Sequence, residues 1–179
     1  MKKILFVLCL ALLSAVAKAA PMESVYTDLG GPKCKTALDR TEGESRTVTC
    51  LGVAGYRLRS LEDDLRQTVN VIDPQGVESP LDLWSIIFGG FSSLGAKAEW
   101  RVEKQGAKVT PRAMIVRFNA SENPSDPNKV TSYLVVVKLT PKKICATDRI
   151  PPDPKQNDKA RAAADVADGK ACLTAGVHK

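Results

Sequence analysis

Thr131-Ser132-Tyr133-Leu134-Val135-Val136-Val137-Lys138-Leu139 is apolar at five consecutive positions, so neither of its two faces suits water. Successive side chains of a strand point to opposite faces, and a short β-branched run of this kind reads as a central strand covered on both sides. The earlier stretch Lys97-Ala98-Glu99-Trp100-Arg101-Val102-Glu103-Lys104 alternates instead. Ala98, Trp100 and Val102 face one way, and Lys97, Glu99, Arg101 and Glu103 the other. Gly106 turns that strand back into residues 109–118, which predicts an antiparallel hairpin beside the covered strand.

Working outward from this sheet, residues 46–51, 55–59 and 66–72 are short β-prone runs between turn formers. Asp73-Pro74-Gln75-Gly76 is a turn, because proline pre-sets φ at its second position and glycine accepts a positive φ. Ser79-Pro80 then offers a helix start, and Leu81, Trp84, Ile87 and Phe88 fall at helical spacing before Gly89-Gly90. The spacing predicts a helix near 80–88. Residues 119–128, with two prolines, connect the hairpin to the covered strand, and residues 20–45 read as an extended arm and loop. Past Pro151-Pro152-Asp153-Pro154, Asn157 or Asp158 is placed to cap a last helix. Its stripe of Ala160, Ala163, Ala164 and Ala167 is small enough for close approach to a sheet. The predicted fold is α+β: about six mainly antiparallel strands in one sheet, packed by a short central helix and a C-terminal helix.

Lys2 and Lys3, the apolar run of residues 4–16 and Ala17-Lys18-Ala19 have the layout of a signal peptide over residues 1–19. An apolar run of about a dozen residues is too short to span a bilayer core of roughly 30 Å, so no stable membrane insertion is expected. Residues 20–179 read as a single globular domain: arm and loop over 20–45, sheet and helix over 46–149, and a proline-rich crossing, helix and tail over 150–179. The expected location is periplasmic or secreted. Four of the five cysteines, Cys34, Cys50, Cys145 and Cys172, lie outside the leader. In an oxidising compartment they read as two disulfides with three possible connectivities. Pairing Cys34 with Cys50 and Cys145 with Cys172 closes two short loops and is the favoured one. There is no Cys-x-x-Cys and no metal-finger spacing, so a redox pair and a metal site are set aside.

Lys2, Lys3 and Lys18 belong to the leader, so the formal charge of +6 falls to +3 in the remainder, with residues 20–95 at −4 and residues 96–179 at +7. The two halves are complementary and predict ion pairing between them. Near-neutral charge, export and few aromatics speak against nucleic-acid binding. The basic side chains on predicted strands, Arg57, Arg59, Arg101, Arg112, Arg117 and Lys138, are the candidate binding residues for an anionic partner.

Catalytic sets are hard to assemble. The one histidine, His178, is next to last, which leaves serine and cysteine triads without a base. Gly90-Phe91-Ser92-Ser93-Leu94-Gly95-Ala96-Lys97 resembles a phosphate loop but fails its spacing and follows a helix instead of a strand. Glu122, Asn123, Asp126 and Asn128 lack the glycine turn and closing glutamate of a calcium loop. Glu62-Asp63-Asp64, joined by Glu99 or Glu103, is the remaining set of carboxylates for glycan hydrolysis. No cofactor and no metal site are expected. No residue set carries a family resemblance, although the general layout is that of short exported bacterial proteins. The preferred reading is a non-catalytic, disulfide-stabilised binding or interaction protein. Its partner is an unidentified envelope component or secreted protein, such as a hydrolase that it inhibits through the 119–128 loop. Trp84, Phe91 or Trp100 lies near the contact surface. The alternative is a carboxylate-dependent hydrolase of cell-wall or extracellular glycans.

Overall fold

A computed structural model describes residues 21–39, 45–126 and 128–176; residues 1–19, read from the sequence as a signal peptide, and His178 lie outside the described residues. Among the described residues ten strands form two five-stranded antiparallel sheets instead of one sheet of six. The first has the order β1 (Met22–Asp28), β7 (Ser92–Gln105), β8 (Lys108–Ala120), β9 (Thr131–Leu139), β10 (Ile144–Ile150). The second runs β2 (Lys35–Asp39), β3 (Ser45–Leu51), β4 (Arg57–Asp63), β5 (Arg66–Ile72), β6 (Glu78–Pro80). They stack as a sandwich, β1 over β3, β7 over β5 and β10 over β6.

Inner-face parity explains the split. Leu58, Val69 and Val71 of the second sheet meet Trp100, Val102, Met114, Val116, Phe118, Val135 and Val137 of the first, all in one core. Each fully buried side chain of this size contributes about 1.5–3 kcal/mol, so two apolar faces turned toward each other win over a wide sheet with one face wet. The 81–91 segment carries the chain from the second sheet to the first. It contains only one helical turn, α1 (Leu83–Ile86), because β6 uses Ser79 and Pro80 as strand residues and Asp82 enters at φ 50°. Leu81, Leu83 and Ile87 are buried there and close the side of the sandwich.

The hairpin of β7 and β8 and the doubly covered β9 form as expected. Tyr133, Val135, Val137 and Leu139 face the core, while Leu134 and Val136 face outward beneath α2 (Gln156–Asp165). On the outer face Ala113, Ile115, Leu134 and Val136 pack against Ala160, Ala164 and Ala167. The helix starts one residue ahead of Asn157. Its first turn is held from outside by Asp153, whose carbonyl accepts the Gln156 N–H and whose carboxylate takes the Lys155 N–H and the Lys159 ammonium. Both favoured disulfides form: Cys34–Cys50 fastens the entry to β2 onto the end of β3, and Cys145–Cys172 fastens the tail onto β10. The tail continues that edge, Leu173 N–H donating to the Ala146 carbonyl at 2.8 Å.

Four strands escape the sequence reading. β1 and β2 lie in the stretch read as an arm, β6 has three residues, and β10 is bulged between Ala146 and Asp148. Pro111, which withholds a donor inside a central strand, sits where the β7–β8 register shifts between Arg101 and Val102. Two ion pairs join the oppositely charged halves, Lys97–Asp28 at 2.8 Å and Lys104–Glu23 at 2.6 Å. Among the described residues no helix is long and apolar enough to cross a membrane.

Trp100 is wholly buried, stacks obliquely on Tyr56 at 5.8 Å and donates its indole N–H to Thr27 Oγ1 at 2.8 Å. It fits only because residue 52 has no side chain: a Cβ on Gly52 would lie 2.6 Å from the indole ring and 3.0 Å from the Tyr56 carbonyl. Gly52→Ala is therefore expected to destabilise the protein by about 1–3 kcal/mol through overpacking, read as a lower thermal midpoint with altered tryptophan fluorescence.

Candidate functional site

The six cations singled out in the sequence do not form one face. Arg57 and Arg59 lie on the outer face of the second sheet, opposite in parity to the buried Leu58. Arg101, Arg112, Arg117 and Lys138 lie on the outer face of the first sheet, on the far side of the sandwich and around α2. Arg59 pairs with Glu78 at 2.5 Å, and Arg112 with Glu103 at 2.7 Å. Arg117 donates to Ser132 Oγ at 2.7 Å, and Lys138 to the Lys170 carbonyl at 2.6 Å. Arg101 is only 8% exposed. It grips Asp165 of α2 through Nε and Nη2 at 2.7 and 2.9 Å, and donates to Ser24 Oγ at 2.6 Å and to the Met22 carbonyl at 3.1 Å.

Ser24 passes this network on to Glu99, which also takes the Arg161 guanidinium of α2 at 2.6 Å. The sequence reading would join Glu99 or Glu103 to Glu62-Asp63-Asp64 if their strands paired, and the structure puts those strands in different sheets. Trp100 points inward, so its neighbours Glu99 and Arg101 point outward under α2, while Glu62 belongs to the other sheet. Burial alone would push the Glu99 carboxyl up. Hydrogen bonds from Arg161 and Ser24, the Arg161 charge and the Tyr26 hydroxyl outweigh burial and hold it below the usual carboxylate range. Asp28 and Asp153 are also held low, chiefly by hydrogen bonds from Lys97 and Lys159. A general acid in glycan hydrolysis needs the opposite displacement.

The carboxylates of a further cleft are also engaged. About 540 Å³ opens between the β5–β6 and β9–β10 turns, with Asp73 and Glu78 in its wall. Asp73 accepts the Gln75 and Val77 N–H groups, and Glu78 is shared by Arg59 and Asn70. In the 119–128 connection, Asn123 and Asp126 bond to backbone N–H groups two residues on, and Glu122 accepts the Tyr133 hydroxyl at 2.9 Å. Among the described residues no group of three or more metal-ligating side chains comes together. The 90–97 stretch belongs mostly to β7, and Lys97 is spent on Asp28.

Three of the large apolar side chains exposed among the described residues, Leu65, Phe91 and Val130, gather at one end of the sandwich instead. Ser92, Ala120 and Thr131 form one row across β7, β8 and β9. Phe91, Ser121 and Val130 each step one residue beyond that row, toward the apical end. Phe91 is 51% exposed and Val130 49%. The Ser121 N–H donates to the Phe91 carbonyl and the Ser92 N–H to the Leu65 carbonyl, both at 3.0 Å. These bonds bring the β4–β5 turn alongside. Leu65 at its tip is 64% exposed and, like Asp64, has a positive φ, 58° and 47° respectively. Arg66 next to it lies over the half-buried Trp84 ring at 5.9 Å. Of the aromatics named from the sequence, Phe91 and Trp84 reach this end, whereas Trp100 is core. Leu65 was not singled out, since only pairing at both ends of its turn reveals its backbone conformation.

Below this tip, between the sheets, is a cavity of about 180 Å³. Arg46, Glu62 and Gln67 line it from one row across β3, β4 and β5, with Ser60 one row deeper. No family model, curated protein or solved structure matches the chain.

The Glu99 group sets a pH dependence for the α2 dock. Its carboxyl is lowered in the folded state, so it contributes stability above the unfolded value of about 4.5, and that contribution is lost as pH falls through the lower folded value. Glu99→Gln is expected to cost about 2 kcal/mol at pH 7. It should also flatten the decline in thermal midpoint between pH 6 and pH 3.

Proposed function

We propose that the protein is an exported binding or interaction protein, periplasmic or secreted, that engages an envelope component or a secreted protein through the apical end of its sandwich. The observation that carries this reading is Leu65. A branched apolar residue held in the left-handed region costs about 1–2 kcal/mol relative to ordinary backbone, and glycine or asparagine is the usual choice in a two-residue turn with two positive φ values. At this position the side chain is exposed, so burial does not offset the strain. Strain retained without a folding benefit clusters at functional positions.

Phe91 and Val130 supply neighbouring apolar contact area, with Asp63, Asp64 and Arg66 as a charged rim. That is the composition of a recognition patch: an apolar centre with polar surroundings on turns fixed by a rigid scaffold. The backbone bonds joining Leu65, Phe91 and Ser121 hold the patch in shape before any partner arrives, which lowers the entropy lost on binding. Two disulfides fit an oxidising, non-cytoplasmic compartment.

Leu65→Gly separates folding from function. It is expected to raise stability by about 1 kcal/mol, a rise of about 2–4 °C in thermal midpoint for a chain of this size. It should nonetheless reduce recovery of the partner from envelope and culture extracts. Phe91→Ser should reduce recovery of the same species with its thermal midpoint unchanged, and a photo-crosslinker at position 91 should label that species. Equal recovery by wild type and both variants would overturn the reading.

A further inference from the structure

We infer that the cavity beneath the apical end is a binding pocket for one neutral, hydroxyl-bearing sugar unit, so that the envelope component recognised there is a glycan. This rests on the apical end being the binding end. Inward-facing positions of a sandwich are normally apolar, yet Arg46, Glu62 and Gln67 face inward side by side on three adjacent strands. A solvated rim would account for that row, but not for Ser60 one row deeper. Ser60 lies between Val48 and Val69 in the cavity wall, and its Oγ is almost fully covered and has no hydrogen-bond partner among the described residues. Such a hydroxyl costs about 1–3 kcal/mol unless something in the cavity bonds to it.

The pocket is also held in shape. Gln67 Nε2 donates to Glu62 Oε2 at 3.1 Å while its Oε1 accepts the Leu94 N–H at 2.8 Å, which makes Gln67 a positioning residue for the carboxylate. On the opposite wall the β7–β8 register breaks between Leu94 and Ala98, the kind of bulge that re-aims a strand beside a site. Size and charge select the ligand. The volume is below the roughly 300 Å³ at which drug-sized pockets begin, so a single small ring is accommodated. Arg46 and Glu62 are direct cross-strand neighbours, yet they make no ion pair within 4.0 Å. A cation entering the cavity would meet Arg46, and an anion would meet Glu62. A hydroxyl both donates and accepts, so adjacent sugar hydroxyls can donate to Glu62, accept from Arg46 and exchange either role with Ser60. Leu29, Val48 and Leu94 offer apolar surface to the C–H face of the ring.

The test is an amide-resonance titration of the whole exported protein with methyl glycosides of glucose, galactose, mannose and N-acetylglucosamine, with n-butylamine and acetate as charged comparators. At least one glycoside is expected to shift the Ser60, Glu62 and Gly95 amides saturably, with an affinity that does not change between low and high salt. Ser60→Ala removes a hydroxyl that bonds nothing in the protein, so it should keep or raise the thermal midpoint while weakening that glycoside about tenfold. That factor corresponds to about 1.4 kcal/mol, one hydrogen bond to the ligand. Glu62→Gln should weaken it at least as much. No saturable glycoside shift, a response to n-butylamine or acetate in its place, or unchanged affinity in both variants would overturn the inference. Leu65→Gly and Phe91→Ser lie outside the cavity and should leave glycoside affinity unchanged, so failure of the pocket and failure of the apical patch are read separately.

Discussion

β8 and β9 are apolar on both faces, and the rest of the architecture answers to that constraint. A strand pair with no wet side needs two covers. The second sheet provides one, through Leu58, Val69 and Val71, and α2 provides the other, through its alanines. The two covers differ in kind. Sheet against sheet is a broad apolar contact around Trp100. The helix brings only small side chains to the apolar contact, so its dispersion contacts are modest, and its attachment leans on hydrogen bonds along its length. Arg101–Asp165 and Glu99–Arg161 anchor it near its C-terminal and middle turns, and Gln156 bonds the Ser132 and Ile150 carbonyls at the start.

This division explains why Arg101, one of the cations read from the sequence as a candidate binding residue, is taken up inside the protein. An outward position on β7 or β8 is outward only until a helix lies over it. Arg101 and Glu99 then become part of an interior polar seam, where each charge has a partner of opposite sign and hydrogen bonds to spare. Pairing of that quality is what a charge at such low exposure requires, because removal from water is costly unless it is compensated. The apical end shows the converse: apolar side chains left in water and polar ones placed between the sheets.

Much of the fold was legible in local pattern. Alternation in residues 97–104, the glycine at 106, the doubly apolar run in 131–139 and the alanine stripe are short-range signals, and each formed the predicted element. The cysteine pairing followed from loop length. Sheet membership is a long-range property that these signals lack, so two sheets read as one. β1 escaped because Val25 is almost its only aliphatic residue. It is a strand because β7 offers it a complete antiparallel ladder from Glu103 to Lys97. The helix near 80–88 shrank to a turn because β5 takes Ser79 and Pro80 as strand partners. At the candidate site, Phe91 and Trp84 were visible as aromatics near a loop. Leu65 and Ser60 were invisible, because a backbone angle and a missing hydrogen bond leave no trace in composition.

The staple between Cys145 and Cys172 carries a consequence for the order of assembly. The chain is made from its N-terminus, so both sheets are complete in sequence at Ile150, before any of α2 has emerged. Until then Ile115, Leu134 and Val136 present an oily patch to the surroundings, of the sort that attracts chaperones or promotes clumping. The last thiol to appear is the one that locks the lid over that patch. Oxidative closure at Cys172 thus doubles as a completion mark: the bond joins the tail to β10, so a molecule in which it has formed has already carried its helix across the outer sheet.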